Sequence, residues 1–450
     1  MTNRLSSGLS LLISIVTVLV TGAVAQKETV LHSFGHGKDG RESGSAPGSC
    51  LTIDGYGNLY GTTEMGGSHG YGTVFELQPK SGGGWTEKIL HNFNNDADGG
   101  YPLGGLVLDS AGNLYGTTGG GGAYVAGVVF ELQPKASGGW TEKVLHNFSD
   151  NGKDGLEPYA SLIFDAVGDL YGTTYAGGNV RGTADCFTGC GTVFELTPPL
   201  AGEKHWTEKI LHNFSYVGGD GFNPYAGLVF DSAGNLYGTT YGGGIFRAGT
   251  VFELAPSGGD WTETVLHSFG HDKDGTAPIG GLILDPSGNL YGTTLGGGGY
   301  GCGGGGCGSV FELSPETGGG WTDKILYSFS SKSGGYFPEA GLVTDAFGNL
   351  YSTTTRGVAY GFNGGRVFEL TPLAGGAWTE TVLHSFGKGN DGKAPVSGLI
   401  FDASGDLYGT TAEGGGSRSC KYGCGTVFKI MPQTPLTLSP SSRRRVVPVP

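Results

Sequence analysis

The chain has 450 residues, 92 of them glycine, and its acidic side chains outnumber the basic ones by 40 to 26, for a formal net charge of −14. The few basic residues form no stripe, which excludes the electrostatic footprint of a nucleic-acid binder. Glycine at this level could signal low complexity, but here it recurs at fixed offsets beside Val, Phe, Leu and Tyr, so it marks turns in a chain able to bury a core.

Residues 1–25 read as a signal peptide: an early Arg4, an apolar run from Leu9 to Val20, and the small-residue exit Ala23-Val24-Ala25. The mature chain is expected to start near Gln26 and to be secreted, extracellular or periplasmic or at the cell surface. No later stretch reaches the ~20 consecutive apolar residues a membrane span needs, so the mature chain is expected to carry no transmembrane segment. Next comes Glu28-Thr29-Val30-Leu31-His32-Ser33-Phe34, a strand without the rest of its unit.

Seven segments then read Asp-x-x-Gly-[Asn/Asp]-Leu-Tyr-[Gly/Ser]-Thr-Thr, with tyrosines at Tyr60, Tyr115, Tyr171, Tyr237, Tyr291, Tyr351 and Tyr408; the six intervals average 58 residues. Each follows a short apolar run such as Gly105-Leu106-Val107-Leu108, so two strands, a and b, flank an Asp-x-x-Gly-Asn turn. After a glycine-rich loop comes Val-Phe in all seven copies, from Val74-Phe75 to Val427-Phe428, predicting strand c, ended by a proline such as Pro79. Six copies continue into a strand d such as Trp85 to Phe93, in which Trp, Ile and Phe share one parity. Four short strands repeated radially predict an all-β, seven-bladed β-propeller spanning residues 26–432, with four antiparallel strands per blade. The seventh unit stops after strand c, so the N-terminal strand is expected to complete the last blade and remove the open edge.

The runs Gly-Asn-Leu-Tyr-Gly-Thr-Thr, Gly-Thr-Val-Phe-Glu-Leu, Leu-His-Ser-Phe and Asp-Gly-x-x-Pro resemble the GloVer tandem repeat of exported bacterial proteins, over residues 27 to 432. That resemblance implies assorted C-terminal anchors, whereas residues 433–450 form a Pro/Ser/Arg tail without a visible membrane segment, expected to be disordered. It implies no catalytic residues. The Arg443-Arg444-Arg445 cluster is given no function.

Candidate chemistry must come from the loops. His32, His91, His146, His212, His267 and His384 share one strand-d position, replaced by Tyr327 in the fifth unit. Propeller geometry keeps them apart, so each is expected to make a structural hydrogen bond to backbone or threonine. The d-to-a loops repeat Asp-Gly before a proline, at Asp39, Asp98, Asp154, Asp220, Asp274 and Asp391, and these read as turn residues. Asp96 and Asp98 alone do not assemble the six or so oxygens of a calcium site. Cys186/Cys190, Cys302/Cys307 and Cys420/Cys424 are expected to be loop-local disulfides, with Cys50 a small, packed, unpaired thiol. No metal and no cofactor are expected.

The d-to-a and b-to-c loops should open on one face, where binding residues belong. Units three and four share Tyr159, Tyr175 and Arg181 against Tyr225, Tyr241 and Arg247 at equal offsets, giving aromatic platforms and guanidinium donors for a ligand. A secreted or surface binding propeller, monomeric and taking a glycan or cell-surface polymer, is therefore the leading expectation. A polysaccharide lyase or hydrolase at the top of the channel is the alternative, with Glu64 and Glu413 as the pair to test among Glu64, Glu157, Glu339 and Glu413. A purely structural surface protein is the third.

Overall fold

The structure is a computed structural model that describes residues 28–35, 44–179, 186–271, 273–299, 301–302, 305–330, 335–357 and 364–431. The signal-like segment 1–25, Asp39, Arg181 and the tail 433–450 lie outside the described residues. Seven antiparallel four-stranded sheets form the blades of an all-β propeller. In blade one the strands are a (Thr52–Ile53), b (Leu59–Thr63), c (Thr73–Pro79) and d (Trp85–Asn92). No helix among the described residues is long and apolar enough to cross a membrane.

The a-to-b turn works as its residues dictate. The Asp54 carboxylate accepts the amides of Tyr56 and Asn58, both at 2.9 Å, and Gly57 takes φ +82°. Beyond the turn, the Tyr60 hydroxyl lies 3.1 Å from Asp54 Oδ2 and 3.2 Å from Glu76 Oε1, tying turn to strand c. In blade seven Lys429 occupies the Glu76 position and pairs with Asp406 instead.

The core lies between blades rather than within them, as seven apolar clusters, one at each interface. At each interface a strand-d phenylalanine packs on the strand-c phenylalanine of the next blade. Phe93 meets Phe130 with ring centroids 5.2 Å apart, and Phe148 meets Phe194 at the same distance. The expected common parity of Trp85, Ile89 and Phe93 does not hold. Strand d bulges at Leu90, since Phe75 pairs with Ile89 while Val74 pairs with His91. The extra residue reverses the alternation, so Trp85 and Ile89 pack on the preceding interface while Leu90 and Phe93 pack on the following one. One strand thereby serves two interfaces.

Polar bonds cross the same interfaces near the axis. The first threonine of each Thr-Thr donates its hydroxyl to a backbone carbonyl at the start of the next blade: Thr117 to Ala160 at 2.9 Å, Thr173 to Ala226 at 3.0 Å, and finally Thr410 to Pro47 at 3.0 Å. The glycine before strand c allows the blades to approach this closely. At Gly72, φ is +98°, and a Cβ would sit 2.4 Å from the Thr63 carbonyl oxygen and 2.6 Å from Pro102 of the next blade.

Glu28–Ser33 completes blade seven as its strand d, pairing antiparallel with Thr426–Ile430 from Glu28↔Ile430 to Ser33↔Thr426. Phe34 is fully buried and packs on Phe75 of blade one at 5.1 Å.

The strand-d histidines do not bond backbone or threonine as expected. The bulge turns them toward the following d-to-a loop, where His91, His267 and His384 pair with Asp98, Asp274 and Asp391 at 3.2, 3.1 and 3.3 Å. A strand-d acidic residue of the next blade approaches the same site, as Glu87 does at 3.4 Å from His32. Between blades five and six Tyr327 donates to Glu380 at 2.6 Å.

Two predictions follow from these contacts. Deleting Glu28–Phe34 leaves Thr426–Ile430 as an open edge and is expected to yield aggregate in size-exclusion chromatography, while Phe34→Ala is expected to cost about 3–5 kcal/mol in denaturant unfolding; wild-type behaviour of both variants would refute the closure. The second concerns Glu142, whose carboxyl is raised from 4.5 to about 7 by burial and then by the charge of Asp98. Because the folded value lies above the unfolded one, this group's stabilising contribution is complete below pH 4.5 and is lost as pH rises through 7. Glu142→Gln is therefore expected to match wild type at pH 4 and to exceed it at pH 8 by roughly 1–2 kcal/mol, screening included. Equal differences at both pH values, measured by urea unfolding, would show that Glu142 does not titrate in this way.

Candidate functional site: the mouth of the central channel

Each blade meets the axis through the segment that enters strand a, and this segment has the same backbone seven times. Ala46, Tyr101, Glu157, Asn223, Ala277, Phe337 and Ala394 all adopt positive φ, between +50° and +62°, although none is glycine. Strain of this kind persists only where bonds over-determine the backbone. Here they do: the Glu157 amide donates to Ala126 O of the preceding blade at 3.1 Å, and its carbonyl accepts the Tyr175 amide at 3.0 Å. A proline follows at every copy, and the next residue lines the channel: Gly48, Leu103, Tyr159, Tyr225, Ile279, Glu339 and Val396. Three positions per blade therefore ring the mouth: the residue before the proline, the one after it, and the one following Thr-Thr.

The channel with this ring encloses about 290 Å³, and below the ring glycine and alanine alternate with Ser161, Cys50 and aliphatic side chains such as Leu228 and Leu342. Cys50 is unpaired, but it does not pack as expected. Leu51 takes the core direction, which leaves Cys50 exposed to the channel. Protein surrounds it nonetheless, and this burial raises the thiol above its ordinary range. The three expected disulfides are present, Cys186–Cys190, Cys302–Cys307 and Cys420–Cys424. Cys190 also supplies the carbonyl that accepts the Asn223 amide at 2.7 Å, so a disulfide-bonded residue buttresses the blade-four mouth segment.

Blades three and four place Glu157, Tyr159 and Tyr175, and Asn223, Tyr225 and Tyr241, at the three mouth positions. The structure brings three of these rings together. Tyr159 lies 5.5 Å from Tyr175 and 5.7 Å from Tyr225, and Tyr175 stands edge-on to Tyr225 at 6.1 Å. Tyr159 donates to Glu157 Oε2 at 2.7 Å; burial and then this bonded carboxylate raise its phenol above the ordinary range. It also leans over blade two, where a Cβ on Gly119 would lie 2.7 Å from its ring. Tyr225 and Tyr241 remain 40% and 45% exposed, which leaves ring surface for a ligand. Tyr241 acts on the Tyr175 phenol, which burial mainly raises.

Two carboxylates besides Glu157 share this mouth. Tyr225 is raised by burial and then by the charges of Glu339 and Glu64, and both glutamates are themselves raised by burial, Glu339 against the pull of the Thr355 hydroxyl and then of Arg356. Glu413 is placed differently. It pairs with Lys393 in the short outer ladder of blade seven, and Ala412 takes the mouth position equivalent to Glu64. The Arg247 guanidinium lies over the Tyr216 ring at 4.6 Å. Sequence reasoning found the tyrosines but missed Leu103, Ile279 and the two-position logic around the proline. The available signal was that residues flanking an invariant proline vary while everything around them repeats.

Away from the mouth, two blade interfaces gather metal-type donors within 4.8 Å of one another: His146, Asp154 and Glu208, and His212, Asp220 and Glu263. Burial raises Glu208 and Glu263 to about 7 each.

These features define an all-β repeat propeller with a lined axial mouth. The profile of the Gloeobacter/Verrucomicrobia repeat matches residues 17–199 and 182–421, and the chain belongs to that family. No curated protein sequence matches the chain significantly. Among solved structures, a candidate 6-phosphogluconolactonase from Bacteroides fragilis superposes with a TM-score of 0.50 at 14% identity, covering 84% of this chain and 98% of that one. A related protein from Bacteroides uniformis gives 0.46 at 16% identity over 78% and 88% of the two chains. A candidate oxidoreductase (glucose dehydrogenase) from Thermus thermophilus gives 0.43 at 14% identity over 90% and 100%. At such identities the likeness speaks to the fold alone.

The cysteine assignment is open to direct test. Intact-mass analysis without reduction is expected to show three disulfides and one thiol, and Cys50 is expected to react with iodoacetamide at pH 8 several-fold more slowly than free cysteine. Rapid labelling, or more than one labelled site, would contradict the channel placement.

Proposed function

We propose that the chain is an exported binding propeller whose channel mouth takes a glycan or cell-surface polymer, held on the blade-three and blade-four side. The observation that carries this reading is the cluster of Tyr159, Tyr175 and Tyr225 with ring centroids 5.5–6.1 Å apart at the rim of the channel. Tyrosine faces offer flat apolar platforms to sugar rings, and their hydroxyls, with Glu64, Glu157 and Glu339 nearby, offer partners to sugar hydroxyls. The net charge of −14 favours a neutral polymer over an anionic one. Export is supported by the signal-like residues 1–25 and by three disulfides, which persist in oxidising compartments. In this reading Arg247, whose guanidinium stacks on Tyr216, is the donor to hydroxyls or carboxylates of the ligand on the blade-four side, Arg181 is the matching residue of blade three by sequence offset alone, and the tail 433–450 takes no part.

The test is a glycan array followed by a polysaccharide pull-down with residues 26–432. Capture without release of soluble sugar is expected; release of oligosaccharide would move the reading to a hydrolase or lyase, and no saturable capture would leave a structural protein. The double variant Tyr225→Ala/Tyr241→Ala is expected to abolish capture while shifting the melting temperature by no more than about 2 °C, since both rings are half exposed. Retained capture, or a collapse in stability, would overturn the assignment.

A further inference from the structure

The strand-d histidines divide by loop length. In three interfaces whose histidine and loop aspartate are seven residues apart, His91 and Asp98, His267 and Asp274, and His384 and Asp391, the pair closes into a hydrogen bond of 3.1–3.3 Å. His146 and Asp154 are eight apart, and their interface stays open. His146 Nε2 stands 3.5 Å from Asp154 Oδ1 and 3.5 Å from Glu208 Oε1. All three atoms are buried and none makes a hydrogen bond.

We propose that His146, Asp154 and Glu208 form a binding site for one divalent first-row transition ion, of which zinc is the best fit. Zinc bonds nitrogen and oxygen at about 2.0–2.1 Å with tetrahedral angles, which separates neighbouring donors by about 3.3 Å. The two separations from His146 Nε2 match that spacing and exceed a good hydrogen bond. The donor set of one imidazole and two carboxylates suits zinc and its neighbours, whereas calcium needs six or more oxygens. One imidazole and two carboxylates supply the nitrogen and anionic oxygen donors that such an ion takes.

The site is built to hold its shape. Asp154 is only 6% exposed, and its second oxygen, Oδ2, accepts the Ser149 amide at 2.9 Å and the Ser149 hydroxyl at 3.0 Å. That anchoring leaves Oδ1 aimed at His146. The three donors come from three elements: strand d of blade two (Trp140–Asn147), the loop into blade three, and strand d of blade three (Thr207–Asn213). A bound ion therefore rivets two blades together and fixes the loop that carries Glu157, Pro158 and Tyr159 a few residues on. The second cluster is a weaker copy. Asp220 already spends both oxygens on amides, Oδ2 on Ser215 at 2.8 Å and Oδ1 on Gly221 at 2.6 Å. It serves as the internal control.

The experiment uses the untagged, disulfide-intact mature chain, stripped with a chelator and titrated with Zn²⁺ by calorimetry, with bound metal counted after dialysis. About one equivalent is expected. Glu208→Gln, which keeps the shape and removes the charge, is expected to weaken binding by about 100-fold or more, and His212→Ala to leave it unchanged. Each variant is first checked for a wild-type circular dichroism spectrum and melt. Should Glu208→Gln misfold, anomalous diffraction from zinc-soaked wild-type crystals decides the matter: a peak between the three side chains supports the site. No uptake by wild type, undiminished uptake by folded Glu208→Gln, or an anomalous peak only elsewhere would overturn it.

Discussion

The hydroxyl of the first threonine in each Thr-Thr pair, donated across the blade interface to a main-chain carbonyl, is the contact around which the ring is organised. Strand a contributes only two residues to its ladder, as Thr52–Ile53 does, so its position depends on what grips the segment before it. Thr62, Thr117, Thr173 and their counterparts supply that grip from the neighbouring blade. Once the segment is fixed, its left-handed residue and proline are fixed too, and with them the direction of every side chain at the mouth. The phenylalanine pairs farther out supply most of the apolar burial, but they leave the axis untouched. The two kinds of contact divide the work between cohesion and placement.

The architecture was legible because its signals are local and repeated: turn aspartates, Val-Phe strands, and a stray first strand matched by a last unit that lacks one. What escaped reading depended on register. A bulge at Leu90 leaves no mark in composition, yet it reverses Phe93 and His91 relative to Trp85. Period-two reasoning therefore failed halfway along strand d, and the histidine partners failed with it. Cys50 was misread for a related reason, because in the segment entering strand a the neighbours Cys50 and Leu51 separate into channel and core. The tyrosines of blades three and four were found as departures from consensus. That Tyr159, Tyr175 and Tyr225 meet one another, while Glu413 falls in an outer ladder, depends on a one-residue offset after Thr-Thr that only the folded backbone distinguishes.

The same backbone explains how a repetitive chain can carry an asymmetric site. Main-chain bonds at the mouth are made by every blade, so side chains there vary without disturbing them. Blade two offers Tyr101 and Leu103, blade five Ala277 and Ile279, blade six Phe337 and Glu339. One residue added to a loop has a comparable effect at the outer interfaces, where it separates an aspartate from its histidine and leaves three donors facing an open centre. Function in such a molecule is written in small departures from the repeat.

The closing strand carries a consequence for how the molecule comes into being. Glu28–Ser33 is made before any blade, but its partner Thr426–Ile430 is made after nearly all of them. Through synthesis the strand has no partner, and blade seven waits with an unfilled edge. Bringing such distant segments together is entropically costly and slow compared with folding a blade from adjacent strands. Individual blades can therefore assemble in sequence while the circle stays open, and its closure is the last event to join the two extremes of the chain. A nascent propeller is an open arc that exposes two complementary edges, and in a crowded compartment those edges can meet on different molecules as readily as on one.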